Sequence, residues 1–188
     1  MSKNRVIIFS LSLMTSLGVG ASLNYGYAQY AIGTMYADEF ENWDNAKKWW
    51  REGAEKGNPF AQVMLGSYYA LLGDGFDDPN YFLNIDGTED DNKIGESYAE
   101  AMKWYRLAAD QGNANAQHNI GLMYGNGYGV LQDNVRAHLW YNIASANGYE
   151  EAGEWRDKTA FKMPPADISE AQSTARACMS SNYKNCGW

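Results

Sequence analysis

The sequence predicts an all-α fold, about three helix–turn–helix repeats closed by a C-terminal pair of helices, and three observations carry that prediction. The series Ala46, Trp49, Trp50, Gly53, Gly57 recurs in the same spacing as Ala101, Trp104, Tyr105, Ala108, Gly112 and as Ala137, Trp140, Tyr141, Ala144, Gly148. A second pattern, Ala-Gln-x-x-(Ile/Leu)-Gly-x-x-Tyr, begins at Ala28, Ala61 and Ala116 and ends at Tyr36, Tyr69 and Tyr124. Glycine followed by asparagine, at Gly57-Asn58 and Gly112-Asn113, punctuates the alternation between the two. Repetition of both patterns at helical spacing is the mark of a repeat architecture.

Length and composition agree. A chain of 188 residues, 45% hydrophobic and 14% aromatic, has room for one domain and ample material for a core. Its formal net charge is -8. Binding to a phosphate backbone needs clustered lysine and arginine, so nucleic acid is not an expected partner, and an acidic surface also repels anionic membrane.

Residues 1–21 have the pattern of a secretory signal. Lys3 and Arg5 precede an apolar run from Val6 to Val19, and Val19-Gly20-Ala21 offers small residues for cleavage before Ser22. The run is shorter than a membrane-spanning helix requires, so cleavage is expected rather than anchoring, and no stable membrane insertion afterwards. Losing Lys3 and Arg5 takes the charge from -8 to -10. The two cysteines, Cys178 and Cys186, fit such an address. They are expected to form a disulfide in an oxidising compartment, the periplasm or the exterior. A zinc site, the alternative, would want four ligands, and His118 and His138 are remote in sequence.

The first repeat is placed at residues 25–59. Ala28, Ile32 and Tyr36 make one stripe of a helix over 25–37, with Gly33 beside them for a close approach. The partner helix is expected to start at Asp44 as N-cap and stop at Gly57, after which Asn58 and Pro59 restart the chain. The second repeat, 60–113, is interrupted. Its two anchors, Ala61 and Ala101, lie 40 positions apart, and the excess at 73–95 is an acidic loop carrying Asp74, Asp77, Asp78, Asp86, Glu89, Asp90 and Asp91. Clustered carboxylates raise a calcium reading, but counting from Asp86 a calcium loop would have glycine where Asp91 stands and glutamate where Ser97 stands. A solvated loop or a partner-contacting loop are the other readings, since repeat insertions often carry specificity. Ser97 and Glu100 read as a capping box opening the next helix.

The third repeat, 114–149, runs from Ala116 through the loop of Gly125, Gly127 and Gly129 to Asp133, an N-cap for the helix bearing Trp140 and Tyr141. These glycines follow a helix, whereas a nucleotide-binding glycine loop follows a strand and opens a helix. Residues 150–188 must cover the exposed end of the stack. A helix over 150–162 is expected to turn Ala152, Trp155, Thr159 and Ala160 or Phe161 inward. A second, over 165–181, should bury Ile168, Ala171, Ala175, Cys178 and Met179, with the cystine pinning the tail onto it.

The stretch AEAMKWYRLAADQGNANAQHNIGLMYGNGYGV resembles the Sel-one-like repeat family, relatives of the tetratricopeptide repeats, and the resemblance covers about residues 25–149. It implies a right-handed α-solenoid acting as an adaptor or scaffold for protein partners, commonly exported in bacteria. Some cysteine-rich secreted relatives are associated with β-lactam binding or hydrolysis. This chain lacks their cysteine pair in each repeat.

Within such a solenoid a concave groove is expected from Tyr27, Tyr30 and Thr34, then Phe60, Val63 and Ser67, then Asn115, His118 and Leu122, an aromatic and apolar lining suited to a peptide. Trp49, Trp50, Trp104 and Trp140 fall on the repeating stripe and are expected in the core. His138, next to the anchor Ala137, is expected to be a surface or packing residue. No catalytic residue, cofactor or metal is assigned. The expected function is an exported, non-catalytic protein-binding module concerned with envelope maintenance, host contact or an immunity-type partnership, with an envelope hydrolase acting on peptidoglycan or a β-lactam as the alternative.

Overall fold

The computed structural model describes residues 21–40, 42–74, 91–184 and 186. The expected signal segment ahead of Ala21 lies outside them, and so do Asp77, Asp78, Asp86, Glu89 and Asp90 of the acidic stretch. All regular structure among the described residues is helical: α1 (Ala21–Phe40), α2 (Trp43–Glu55), α3 (Pro59–Gly73), α4 (Asp91–Ala109), α5 (Ala114–Asn126), α6 (Asn134–Ala146), α7 (Glu150–Ala160) and α8 (Pro165–Ser180). The chain forms two compact units, Met1–Leu65 and Gly66–Trp188, which divide within α3.

Three helices end alike. Asn58 N–H bonds Gly53 O and Gly57 N–H bonds Ala54 O, and the same pair recurs as Asn113 to Ala108 with Gly112 to Ala109, and as Tyr149 to Ala144 with Gly148 to Ser145. This termination needs a left-handed residue, and Gly57, Gly112 and Gly148 have φ of 85°, 81° and 94°. The asparagines then start the next helix, Asn58 Oδ1 accepting from Ala61 N at 2.8 Å and Asn113 Oδ1 from Ala116 N at 3.1 Å.

The glycine of the second pattern and the second aromatic of the first series are made for each other. A Cβ on Gly33 would lie 2.4 Å from the Trp50 ring, one on Gly66 2.7 Å from Tyr105, and one on Gly121 2.6 Å from Tyr141. Gly33 was expected to allow close backbones; what it admits is an indole ring. The glutamine beside the anchor alanine is also buried, and in two repeats it reaches back to the preceding helix: Gln62 Nε2 donates to Ala54 O at 3.1 Å and Gln117 Nε2 to Ala109 O at 3.2 Å. Burying an amide is tolerable because its N–H meets a helix-end carbonyl, which accepts a second bond beside the one from the turn glycine.

Several expectations are corrected. The N-cap of α2 is Asn42, whose side chain accepts from Asn45 N, and Asp44 sits in the first turn. Helix α4 begins at Asp91, six residues before the supposed capping box. Ser97 is therefore inside the helix, fully buried, donating to Lys93 O at 2.8 Å, and Glu100 pairs with Lys103. A buried serine satisfied by its own helix imitates a cap in the sequence. Trp50, Trp104 and Trp140 are core as expected, whereas Trp49 is half-buried. In α7 only Ala152 is fully buried; Trp155 is 40% and Phe161 95% exposed, so the inward stripe is narrower than periodicity implied. Helix α8 buries Ala171, Ala175 and Cys178, and Cys178 is joined to Cys186.

Candidate functional site

The positions predicted to line a groove fall in three places. In the first unit, Tyr27, Tyr30 and Phe60 form one aromatic cluster, Phe60 lying 5.6 Å from Tyr27 and 5.8 Å from Tyr30 between ring centroids. Tyr27 and Phe60 are 40% and 39% exposed. Thr34 turns its hydroxyl onto Tyr30 O, and Val63 is half-buried. Tyr25, next to the cluster in sequence, donates to Glu52 at 2.5 Å, and that bond raises its pKa.

In the second unit, Ser67 and Leu122 line a cleft of about 280 Å³ between α3, α4 and α5. Its polar floor is Tyr105 and Ser67, their hydroxyls hydrogen-bonded at 3.1 Å, with Asn119 adjoining; burial pushes the Tyr105 phenol up to about 12. One wall is Tyr98 stacked on Tyr128 at 5.1 Å with planes 3° apart. Tyr98 donates to Asp74 Oδ1 at 2.5 Å, and its pKa is raised by burial and by that carboxylate. Gly129, with φ of 64°, passes so close to Tyr98 that a Cβ would meet that residue's Cβ at 2.5 Å.

His118 stands apart from its expected role. It is only 6% exposed, stacked on Tyr149 at 4.4 Å and approached by Tyr141 and Trp155, so α7 and its N-cap residue cover the position that periodicity had placed in the groove. Asn115, on the same helix, is exposed. Beyond it a cleft of about 610 Å³ opens between α5, α6 and α7, lined by Tyr141, Trp155 and Phe161 with Lys158 and Lys162 at its edge. Trp155 and Phe161 were missed as surface residues because α7 borders the end of the repeats, where the period no longer says which face is covered.

Among the described residues no group of three histidine, cysteine or acidic side chains could hold a metal. A Ser-x-x-Lys spacing occurs at Ser181 and Lys184, in the turn after α8, where Ser181 Oγ donates to Cys178 O at 2.8 Å. Among the described residues no helix is long and apolar enough to cross a membrane.

Comparison with known proteins agrees with the geometry. The Sel1 repeat matches at residues 26–58, 59–82, 90–113 and 114–149. Chitin synthase regulatory factor 3 of Schizosaccharomyces pombe is 27% identical over 138 residues, which are 73% of this chain but 12% of that protein. A protective antigen of uropathogenic Escherichia coli, described as displaying an SLR fold, superposes with a TM-score of 0.68 at 24% identity, over 97% of this chain and 35% of the other. A Sel1 repeat protein from Oxalobacter formigenes superposes with a TM-score of 0.54 at 29% identity, over 82% of this chain and 98% of its own. The likeness to the antigen concerns the fold alone. Sel1 repeats generally mediate protein–protein interaction, and these repeats, from the paired glycine and aromatic to the glycine–asparagine restart, place the chain in the Sel1 repeat family.

Proposed function

We propose that this chain is an exported, non-catalytic adaptor that binds a protein or peptide through the aromatic cluster of Tyr27, Tyr30 and Phe60 and through the cleft beside Ser67 and Leu122. The observation that carries the reading is the cluster itself. Large rings left substantially exposed at successive repeats forgo burial, and aromatic side chains of this kind are the usual anchors of a protein interface. The disulfide, together with the basic and apolar pattern ahead of Ser22, supports a periplasmic or secreted location.

The test is affinity capture from an envelope and culture-supernatant extract, comparing the wild type with Tyr30→Ala/Phe60→Ala. A defined protein held by the wild type and lost by the double variant, with both melting alike, is the expected result. Equal retention by the two would remove the cluster from the interface, and capture of nothing by an abundant, folded wild type would remove the adaptor reading.

A further inference from the structure

The smaller cleft is specific about charge in a way the aromatic cluster is not. Its apolar lining includes Leu71, Leu122 and Met123, its wall is the Tyr98–Tyr128 stack, and Tyr128 is 40% exposed. Among the residues that line it, Asp74 is the one charged group, and no lysine, arginine or histidine balances it. Asp74 is exposed at the end of α3, yet its position is set twice, by the Tyr98 hydroxyl and by its own N–H bonded to Ala70 O at 3.0 Å.

We infer that this cleft is a receptor for a single arginine side chain presented by the protein partner. The inference rests on the adaptor reading for its context and on the cleft for its chemistry. Arginine combines the features the cleft complements. Its three-carbon stem lies along Leu71, Leu122 and Met123, its planar head stacks on a tyrosine face, and its fork of donors meets a carboxylate. Lysine shares the stem and the charge but not the plane, and ranks second. An acidic or neutral side chain finds no donor cation there.

The full-length protein is titrated with N-acetyl-arginine methylamide, the lysine counterpart and the citrulline counterpart, the last being the neutral near-isostere of arginine, while amide and aromatic NMR shifts are followed. Arginine is expected to saturate with a midpoint on the order of millimolar, as suits a ligand of this size, moving the signals of Tyr98, Tyr105, Tyr128 and Leu122. Asp74→Asn is expected to weaken it at least about tenfold, and about 0.5 M salt to weaken it severalfold. The Asn variant keeps the backbone bond to Ala70 O and an acceptor for Tyr98, and an unchanged melting curve establishes its fold. Equal response to citrulline, undiminished binding by Asp74→Asn, shifts elsewhere on the protein, or no saturation well above the millimolar range would each overturn the inference. Partner capture with Asp74→Asn separates the two levels. Full capture without arginine binding leaves the adaptor standing and removes the pocket; arginine binding without any captured partner does the reverse.

Discussion

Tyr183 Oη donates to Asn147 Oδ1 at 3.0 Å, and the chain of bonds continues inward: Asn147 Nδ2 donates to Gln117 Oε1 at 2.8 Å, and Gln117 Nε2 to Ala109 O. The tail after α8 is thereby tied to the end of α4. Asn182 and Tyr183 hold φ of 54° and 64°, a left-handed pair without glycine that costs on the order of 1 kcal/mol per residue, and the hydrogen bond and the neighbouring disulfide offset it. Tyr183→Phe leaves the amide oxygen of Asn147 unpaired in a half-buried site. It should destabilise the protein by about 1 kcal/mol, measured by urea unfolding, and Asn147→Ala added to it should cost less than it does in the wild type.

The disulfide closes a nine-residue loop between Cys178 and Cys186. On the chain-entropy account that is about 2.5 kcal/mol, so reducing the protein, or replacing both cysteines by serine, should lower the urea midpoint accordingly. An unchanged midpoint would mean that α8 and the Tyr183 bond hold the tail unaided.

The glycine–aromatic pairing makes opposite predictions for two helical glycines. Gly121→Ala must push against the Tyr141 ring, and overpacking of this kind costs about 1–3 kcal/mol, more than the roughly 1 kcal/mol that alanine gains in helix propensity. Gly95, in α4, has nothing within 4 Å of an added Cβ and is exposed, so Gly95→Ala should stabilise by about 0.5–1 kcal/mol. Thermal melts of the two variants decide it by sign.

Both histidines are buried, with Nδ1 of each unpaired in the interior. Burial lowers both below the ordinary value of 6.5; Glu151 partly opposes this at His118, while Arg156 adds to it at His138 against Asp157. Below about 6.5 the unfolded chain therefore binds more protons than the folded one, and stability falls as pH falls until the folded pKa values are passed. The urea midpoint should drop between about pH 7.5 and 5.5, and His118→Phe should flatten the drop, since the ring keeps its stack on Tyr149 without a proton to gain. A pH response that His118→Phe leaves intact would assign it to His138 or to the carboxylates.

Much of the fold was legible because its rules are local and repeated. A glycine that must be left-handed, an asparagine that caps three residues ahead and an aromatic four residues after an alanine are all short-range constraints, and the repeated copies, three of the glycine and the aromatic and two of the glycine–asparagine restart, allow one to check another. Ser97 misled for the same reason in reverse: a serine three residues before a glutamate is the same string whether it opens a helix or lies buried within one. Of the candidate site, Tyr27, Tyr30 and Phe60 were found by counting along the repeat and do meet. His118 has the same register and is buried, because Tyr149 and α7 cover it.

The sequence by itself determined the helical repeats, the glycine–asparagine turns between them, the family and the pairing of the only two cysteines, since each follows from spacing within a few dozen residues. Tertiary structure decided which faces remained open. Phe161 and Trp155 look like core by period and lie at the surface, His118 looks like surface by register and is buried, and Asp74, one acid among many in the string, is the charge that meets the Tyr98–Tyr128 wall. Exposure depends on what packs against a helix from elsewhere in the chain, and periodicity along one helix carries no record of its neighbour.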